Sequence, residues 1–164
     1  MLSKIEECTP ALRRYALALV QDRQRADDLV HNCLARAFDK LHTPRNDVEL
    51  RAWLFGIIHN LYVSRWHCGT MRQNAEALTE HEGNNPFSGP HGQEDRLKEA
   101  VRALNSLPED QRAVILLVSV ADLSYAEAAV VLAVPIGAVM SRLTCGREHM
   151  RQFVEGVKCP PLPA

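Results

Sequence analysis

The chain has no long apolar run, no closely spaced cysteine pair and no surplus of either charge. Among its 164 residues no stretch of 18 uncharged apolar residues occurs, so no transmembrane helix is expected. The start, Met-Leu-Ser-Lys-Ile-Glu-Glu, lacks the apolar segment of a signal peptide. Cys8, Cys33, Cys68, Cys145 and Cys159 are odd in number and never spaced C-x-x-C. That fits neither a disulfide scaffold nor a zinc ribbon, and a cytoplasmic protein with reduced thiols is expected. Lys and Arg total 19 against 20 Asp and Glu, a net charge of −1, which excludes DNA wrapping by bulk charge but not local basic faces. No Gly-rich phosphate loop or nucleophile elbow is present, so no catalytic residue and no cofactor are expected. His67 and Cys68 are adjacent, with His81 and His91 further on, but adjacent helical residues point about a quarter-turn apart. That is a poor arrangement for joint ligation, and no metal site is expected.

Charge is unevenly spread. Residues 1–75 carry a net of +3, residues 76–99 a net of −4, and residues 100–164 a net of zero. No glycine precedes Gly56, whereas Thr79–Asp95 holds three Gly, two Pro and no aliphatic residue. Such a segment cannot bury enough apolar surface to offset the ordering of its backbone. The expected architecture is all-α: two small helical domains, 1–75 and 96–155, joined by an acidic flexible linker at 76–95. The CPPLPA ending places a disordered tail at 156–164.

Thr9-Pro10 reads as an N-cap with proline at the first helical position, followed by Leu12, Tyr15, Ala16 and Leu19 at helical spacing. A second helix is expected over about Ala26–Leu41, with Leu29, Val30, Cys33, Leu34, Ala37, Phe38 and Leu41 as its apolar stripe. After the loop His42–Asp47, a third is expected over about Val48–His67, burying Leu50, Trp53, Leu54, Ile57, Ile58 and Leu61. In the second domain helices are expected near 95–105, 108–120, 124–133 and 136–152. Ser106-x-x-Glu109 and Ser124-x-x-Glu127 read as capping boxes.

Residues 123–143, LSYAEAAVVLAVPIGAVMSRL, read as a helix-turn-helix. Ala128, Ala129 and Leu132 share a face, and small Ala129 permits a close crossing. Val134–Gly137 supplies the turn, with Pro135 ending the first helix, and Ile136, Val139 and Leu143 face the same core. Ala138, Met140, Ser141, Arg142, Cys145, Arg147, His149 and Arg151 are left for the outer faces. A helix held out this way fits the major groove, although a generic helical hairpin has the same pattern. Arg142 has the chemistry for guanine or phosphate, and Ser141 for phosphate or a base edge.

LPEDQRAVILLV, then the helix-turn-helix string and GRE, resembles the fourth region of bacterial sigma factors, most closely the extracytoplasmic-function (ECF) group. ADDLVHNCLARAF and LRAWLFGIIHNLYVSR resemble the second region, and the order of the motifs and the linker match.

The resemblance implies a function: binding core RNA polymerase and directing promoter-specific initiation by reading −10 and −35 elements. It places polymerase binding on the second helix at Asp28, Leu29, Asn32 and Arg36, beside Asp27 and Asp39. It places −10 reading, with a flipped non-template base, on Pro44, Arg45, Asn46, Arg51, Asn60 and Arg65, joined by Arg72. It places −35 reading on Pro135, Gly137, Ser141, Arg142 and Arg147. Trp53 reads as core, while Trp66 fits either the core or a DNA-facing position. The sequence departs from the family pattern at Asn32 in the polymerase-binding helix, at Pro44 and Ser64 in the −10 region, and at Ala138, Met140 and Cys145, the last three meaning that promoter preference does not transfer from a relative. The implied partners are core RNA polymerase, promoter DNA and an anti-sigma factor, often membrane-linked in this group, with no small-molecule substrate. Candidate anti-sigma surfaces are the exposed half of Val114–Val120 and the face around Leu29 and Leu34. The alternative is a stand-alone helix-turn-helix regulator acting on duplex sites without polymerase.

Overall fold

The computed structural model describes residues 2–41, 46–69 and 91–156, with side chains described over 2–41, 46–65 and 95–156. The described residues form helices and short turns. Three helices make an N-terminal region: α1 (Leu2–Val20), α2 (Arg23–Asp39) and α3 (Asp47–Gly69). Four make a C-terminal region: α4 (His91–Asn105), α5 (Glu109–Ser119), α6 (Tyr125–Leu132) and α7 (Ile136–Val154). No single helix among the described residues is long and apolar enough to cross a membrane.

α1 starts eight residues before the expected Pro10, which lies inside the helix. Burial explains the difference. Ile5 joins the core with Leu12, Tyr15, Ala16 and Leu19, which holds the preceding turn in helical form. Pro10 contributes no N–H there, and the Thr9 hydroxyl is not a cap but donates to the Ile5 carbonyl at 2.8 Å. Gln21, in the left-handed region at φ 54°, breaks the chain between α1 and α2. Asp22 then caps α2 by accepting from the Arg25 N–H at 2.8 Å, so α2 begins three residues earlier than its apolar stripe suggests. Leu29, Val30, Cys33 and Ala37 are buried as expected, Leu34 and Leu41 are half-buried, but Phe38 is exposed.

α3 buries residues around much of its girth, including Leu50, Leu54, Phe55, Ile58, Leu61 and Tyr62. The reason is its position. It packs on α1 and α2 at one side and on α6 at the other. Phe55 meets Tyr15 edge-on, with ring centroids 5.5 Å apart. Trp53 and Ile57 pack against this core but are only partly buried.

α4 begins at His91, so residues 91–95, assigned by composition to the linker, are its first turn. Residues 76–90 of that linker and 157–164 of the tail lie outside the described residues. Ser106 does not cap α5. Its hydroxyl donates to the Ala103 carbonyl at 2.6 Å, closing the end of α4, and Pro108 stands at the N-cap of α5. The Ser124–Glu127 capping box on α6 is complete: Glu127 N–H donates to Ser124 Oγ at 3.2 Å, and Ser124 N–H donates to Glu127 Oε2 at 2.7 Å.

The turn of the helix-turn-helix differs in detail from the expected one. α6 stops on Ala133 in the left-handed conformation, φ 53°. Pro135 is the N-cap of α7, and Ile136 and Gly137 are already helical. Ile136 is exposed and does not face the core, whereas Val139 and Leu143 are buried. In α6 the fully buried residues are Ala128 and Val131, with Ala129 and Leu132 half-buried. Gly146 lets α7 approach α5 closely: a Cβ there would stand 2.6 Å from Ile115 Cδ1.

The two regions touch. α3 packs on α6 and α1 on α5, and one apolar cluster runs from Ile5 to Leu143.

Candidate nucleic-acid interface

The second helix presents a charged outer face. Asp27, Asp28, Arg36 and Asp39 are exposed, and Asn32 is half-buried with its amide donating to the Asp28 carbonyl at 2.6 Å. Leu29 is 3% exposed and belongs to the core, so it offers a partner no surface. Val114–Leu117 are likewise buried, with only Val118–Val120 reaching the surface. The interior takes most of both apolar faces expected to receive an inhibitor, with Leu34, Val118 and Val120 half-buried.

Of the residues assigned to the −10 element, Pro44 and Arg45, with Arg72, lie outside the described residues, as do the side chains of Trp66, His67, Cys68 and His91. Asn46 has a structural task. Its Oδ1 accepts from the Glu49 N–H at 2.8 Å, and its own N–H donates to Glu49 Oε2 at 3.4 Å, a reciprocal cap on α3. Lys4 of α1 ion-pairs with Asp47 beside it. Asn60 and Arg65 are exposed on α3. Arg51 is not turned outward: its guanidinium donates to the carbonyl of Ala121, between α5 and α6.

Further contacts cross between the regions. Arg112 donates to the Tyr62 hydroxyl at 2.9 Å. The amides of Gln21 and Asn105 pair reciprocally at 2.5 and 3.2 Å. His59 lies beside this junction, its Nδ1 3.1 Å from the Tyr15 hydroxyl. Burial pushes the His59 imidazole below its ordinary pKa, and nearby Glu109 partly opposes this. An open cleft of about 440 Å³ lies between the regions, lined by His59, Glu109, Asp110 and Arg142 among others.

On α7 the outward face is sharply defined. Ile136, Gly137, Met140, Ser141, Thr144 and Cys145 are exposed, with Val139, Leu143 and Gly146 buried behind them. Ala138 and His149, expected on the outer face, are half-buried, and His149 Nδ1 lies 2.9 Å from Oε1 of Gln111. Gln111 is the one buried polar residue among those described. Arg142 leans sideways to Asp110, Nε to Oδ2 3.4 Å. Arg147 is exposed. Arg151 is held between Glu148 at 2.6 Å and Glu155 at 2.9 Å, and this bonding holds the Glu148 carboxyl down to about 2. Asp110, Arg112, Tyr62 and Gln111 were not singled out from sequence. Their roles rest on long-range polar contacts, which leave no periodic trace.

No group of three His, Cys, Asp or Glu among the described residues could hold a metal ion. What the α6–α7 pair offers is a helix packed on its core by one face and open to solvent on the other over its first turns, the shape that enters a major groove.

Comparison with known proteins matches both regions in order. A profile described as the Sigma2 domain of PhyR matches residues 5–59, and one described as Sigma-70, region 4, matches residues 97–150. The ECF RNA polymerase sigma factor EcfG of Rhodopseudomonas palustris is 31% identical over 155 residues, covering 91% of this chain and 83% of that protein. The chain belongs to the ECF sigma factors. A second relative, the ECF RNA polymerase sigma factor SigL of Mycobacterium tuberculosis, is 32% identical over 147 residues, covering 87% of this sigma factor and 82% of SigL. Among solved structures, the sigma factor RpoE of Bartonella quintana, in complex with the anti-sigma factor NepR, superposes with a TM-score of 0.72. It is 26% identical, and the match covers 93% of this sigma factor and 95% of that chain. This sigma factor is therefore a transcription initiation factor and not an enzyme.

Proposed function

We propose that this sigma factor binds core RNA polymerase through the exposed charged face of α2, at Asp28, Asn32 and Arg36. Pro44, Arg45 and Asn46, with Asn60 and Arg65, take the melted −10 strand, and α7 reads the −35 duplex through Gly137, Ser141 and Arg147. The domain division follows: residues 1–75 for polymerase and opened strands, the helices from His91 onward for the intact duplex, and the stretch before His91 as the tether. The observation that carries this reading is the outward first half of α7 standing, in one chain, behind a region matching the sigma2 domain.

Arg51 and Arg142 join those surfaces only on release from Ala121 and Asp110. The chain works in the cytoplasm, where polymerase and promoter are. It is held inactive by an anti-sigma factor, a reading supported by the similar RpoE, solved with NepR. Leu29 and Val114–Leu117 are internal, so the apolar groups open to such a partner include exposed Phe38, Val48 and Val130.

Run-off transcription tests the reading. Core enzyme plus this chain on genomic DNA is expected to yield discrete transcripts whose start sites share two upstream elements. Transcripts independent of the added chain would overturn it. Gel shifts at those promoters without core enzyme are expected to be weak; tight binding there would favour a stand-alone regulator.

A further inference from the structure

From Ile136 to Cys145 the outward face of α7 lacks the usual side chains for reading purines. Arg or Lys reads guanine bidentately, and Asn or Gln reads adenine. Between Ile136 and Cys145 the exposed residues are Ile136, Gly137, Met140, Ser141, Thr144 and Cys145, none of them of those types. Arg142, the cation within that span, is directed to Asp110. The first exposed cation along the helix is Arg147, two turns beyond Met140.

Met140 is central on this face and 51% exposed. Thr144, one turn on, spends its hydroxyl on the Met140 carbonyl at 2.9 Å, which leaves its methyl as the group not engaged. Gly137, one turn back, has nothing within 4 Å of where a Cβ would stand, so an approaching surface meets bare backbone there. The result is an apolar strip on the side of a recognition helix whose N-terminal residues meet base edges. In the major groove the apolar group displayed by a base edge is the C5-methyl of thymine. A methionine, unbranched and polarisable, adapts to such a contact.

We infer that Met140 is a specificity-determining residue that reads a thymine C5-methyl group in the duplex promoter element, with the Thr144 methyl continuing the strip. The inference rests on the proposed reading of α7 as the −35 helix.

The experiment uses holoenzyme, reconstituted from core polymerase and the full chain, on a promoter recovered by run-off. Each thymine of the upstream element is replaced in turn by deoxyuridine, which removes the methyl and nothing else. For the wild type, one replacement is expected to lower promoter affinity about fourfold, the worth of one buried methyl group. For Met140→Ala the same replacement is expected to have no effect, so the double-mutant cycle closes on that one methyl. Met140→Arg, selected against randomised duplexes, is expected to prefer guanine in place of that thymine. Met140 is exposed, so both variants are expected to keep the wild-type circular dichroism and melting temperature.

Wild-type indifference to every replacement, or undiminished sensitivity in Met140→Ala, overturns the inference while leaving the sigma-factor reading intact. So does a Met140→Ala defect confined to capture of a protein partner. A chain that directs no promoter-dependent transcript overturns the parent reading, and this one with it.

Discussion

His59 shows how one side chain ties stability to pH. Burial lowers its pKa from the ordinary 6.5, so between that value and the lower folded one the unfolded chain binds more protons. Stability is therefore full above about pH 6.5 and declines as pH falls through the window beneath it. Urea midpoints between pH 8 and pH 5 are expected to fall on the acid side, and His59→Gln to flatten that slope. A wild-type midpoint unchanged over this range would contradict the assignment. Such an environment was invisible in the sequence, because Tyr15 and Glu109 lie far from His59 along the chain. Cys33 was more legible. It fell on the apolar stripe of α2, and it is buried, with its thiol donating to the Leu54 carbonyl at 3.5 Å and pushed up to about 12. Leu29 fell on the same stripe; the family likeness drew it to the surface, and packing returned it to the core.

Among helices, existence was easier to read than ends. All seven described helices were expected, α1 to α3 from apolar spacing and α5 from its cap and length. Ends depend on which of several local signals wins. Thr9-Pro10 has the chemistry of a start, but the burial of Ile5 outweighs it. Ser106 has the spacing of a cap, but the end of α4 takes its hydroxyl first. Ser124 has no such competitor, and both halves of its box form. Ser124→Ala is expected to cost about 1 kcal/mol in a urea unfolding curve. Because α6 aims α7, the same variant is expected to weaken promoter binding more than Ser106→Ala does.

For the whole molecule, composition identified the two helical regions and the stretch between them, but not how the regions meet. That junction is built from α3 on α6 and from isolated polar reaches such as Arg112 to Tyr62 and Gln21 to Asn105. Arg112→Ala removes a half-buried hydrogen bond, a loss of about 1 kcal/mol from the contact between the regions. The expected signature is a larger radius of gyration by X-ray scattering with unchanged helical content. Loss of helical signal instead would mean that Arg112 supports the C-terminal region itself.

Arg51 carries the same point into function. Its guanidinium already has an acceptor, the neutral oxygen of a peptide group at Ala121. A nucleic-acid backbone offers that same fork an ionised oxygen, and a guanidinium–phosphate pair, charged on both sides and open to bidentate geometry, is the stronger of the two. Engaging an opened strand would thus be a trade of one acceptor for a better one, and letting go of the C-terminal region would come with it.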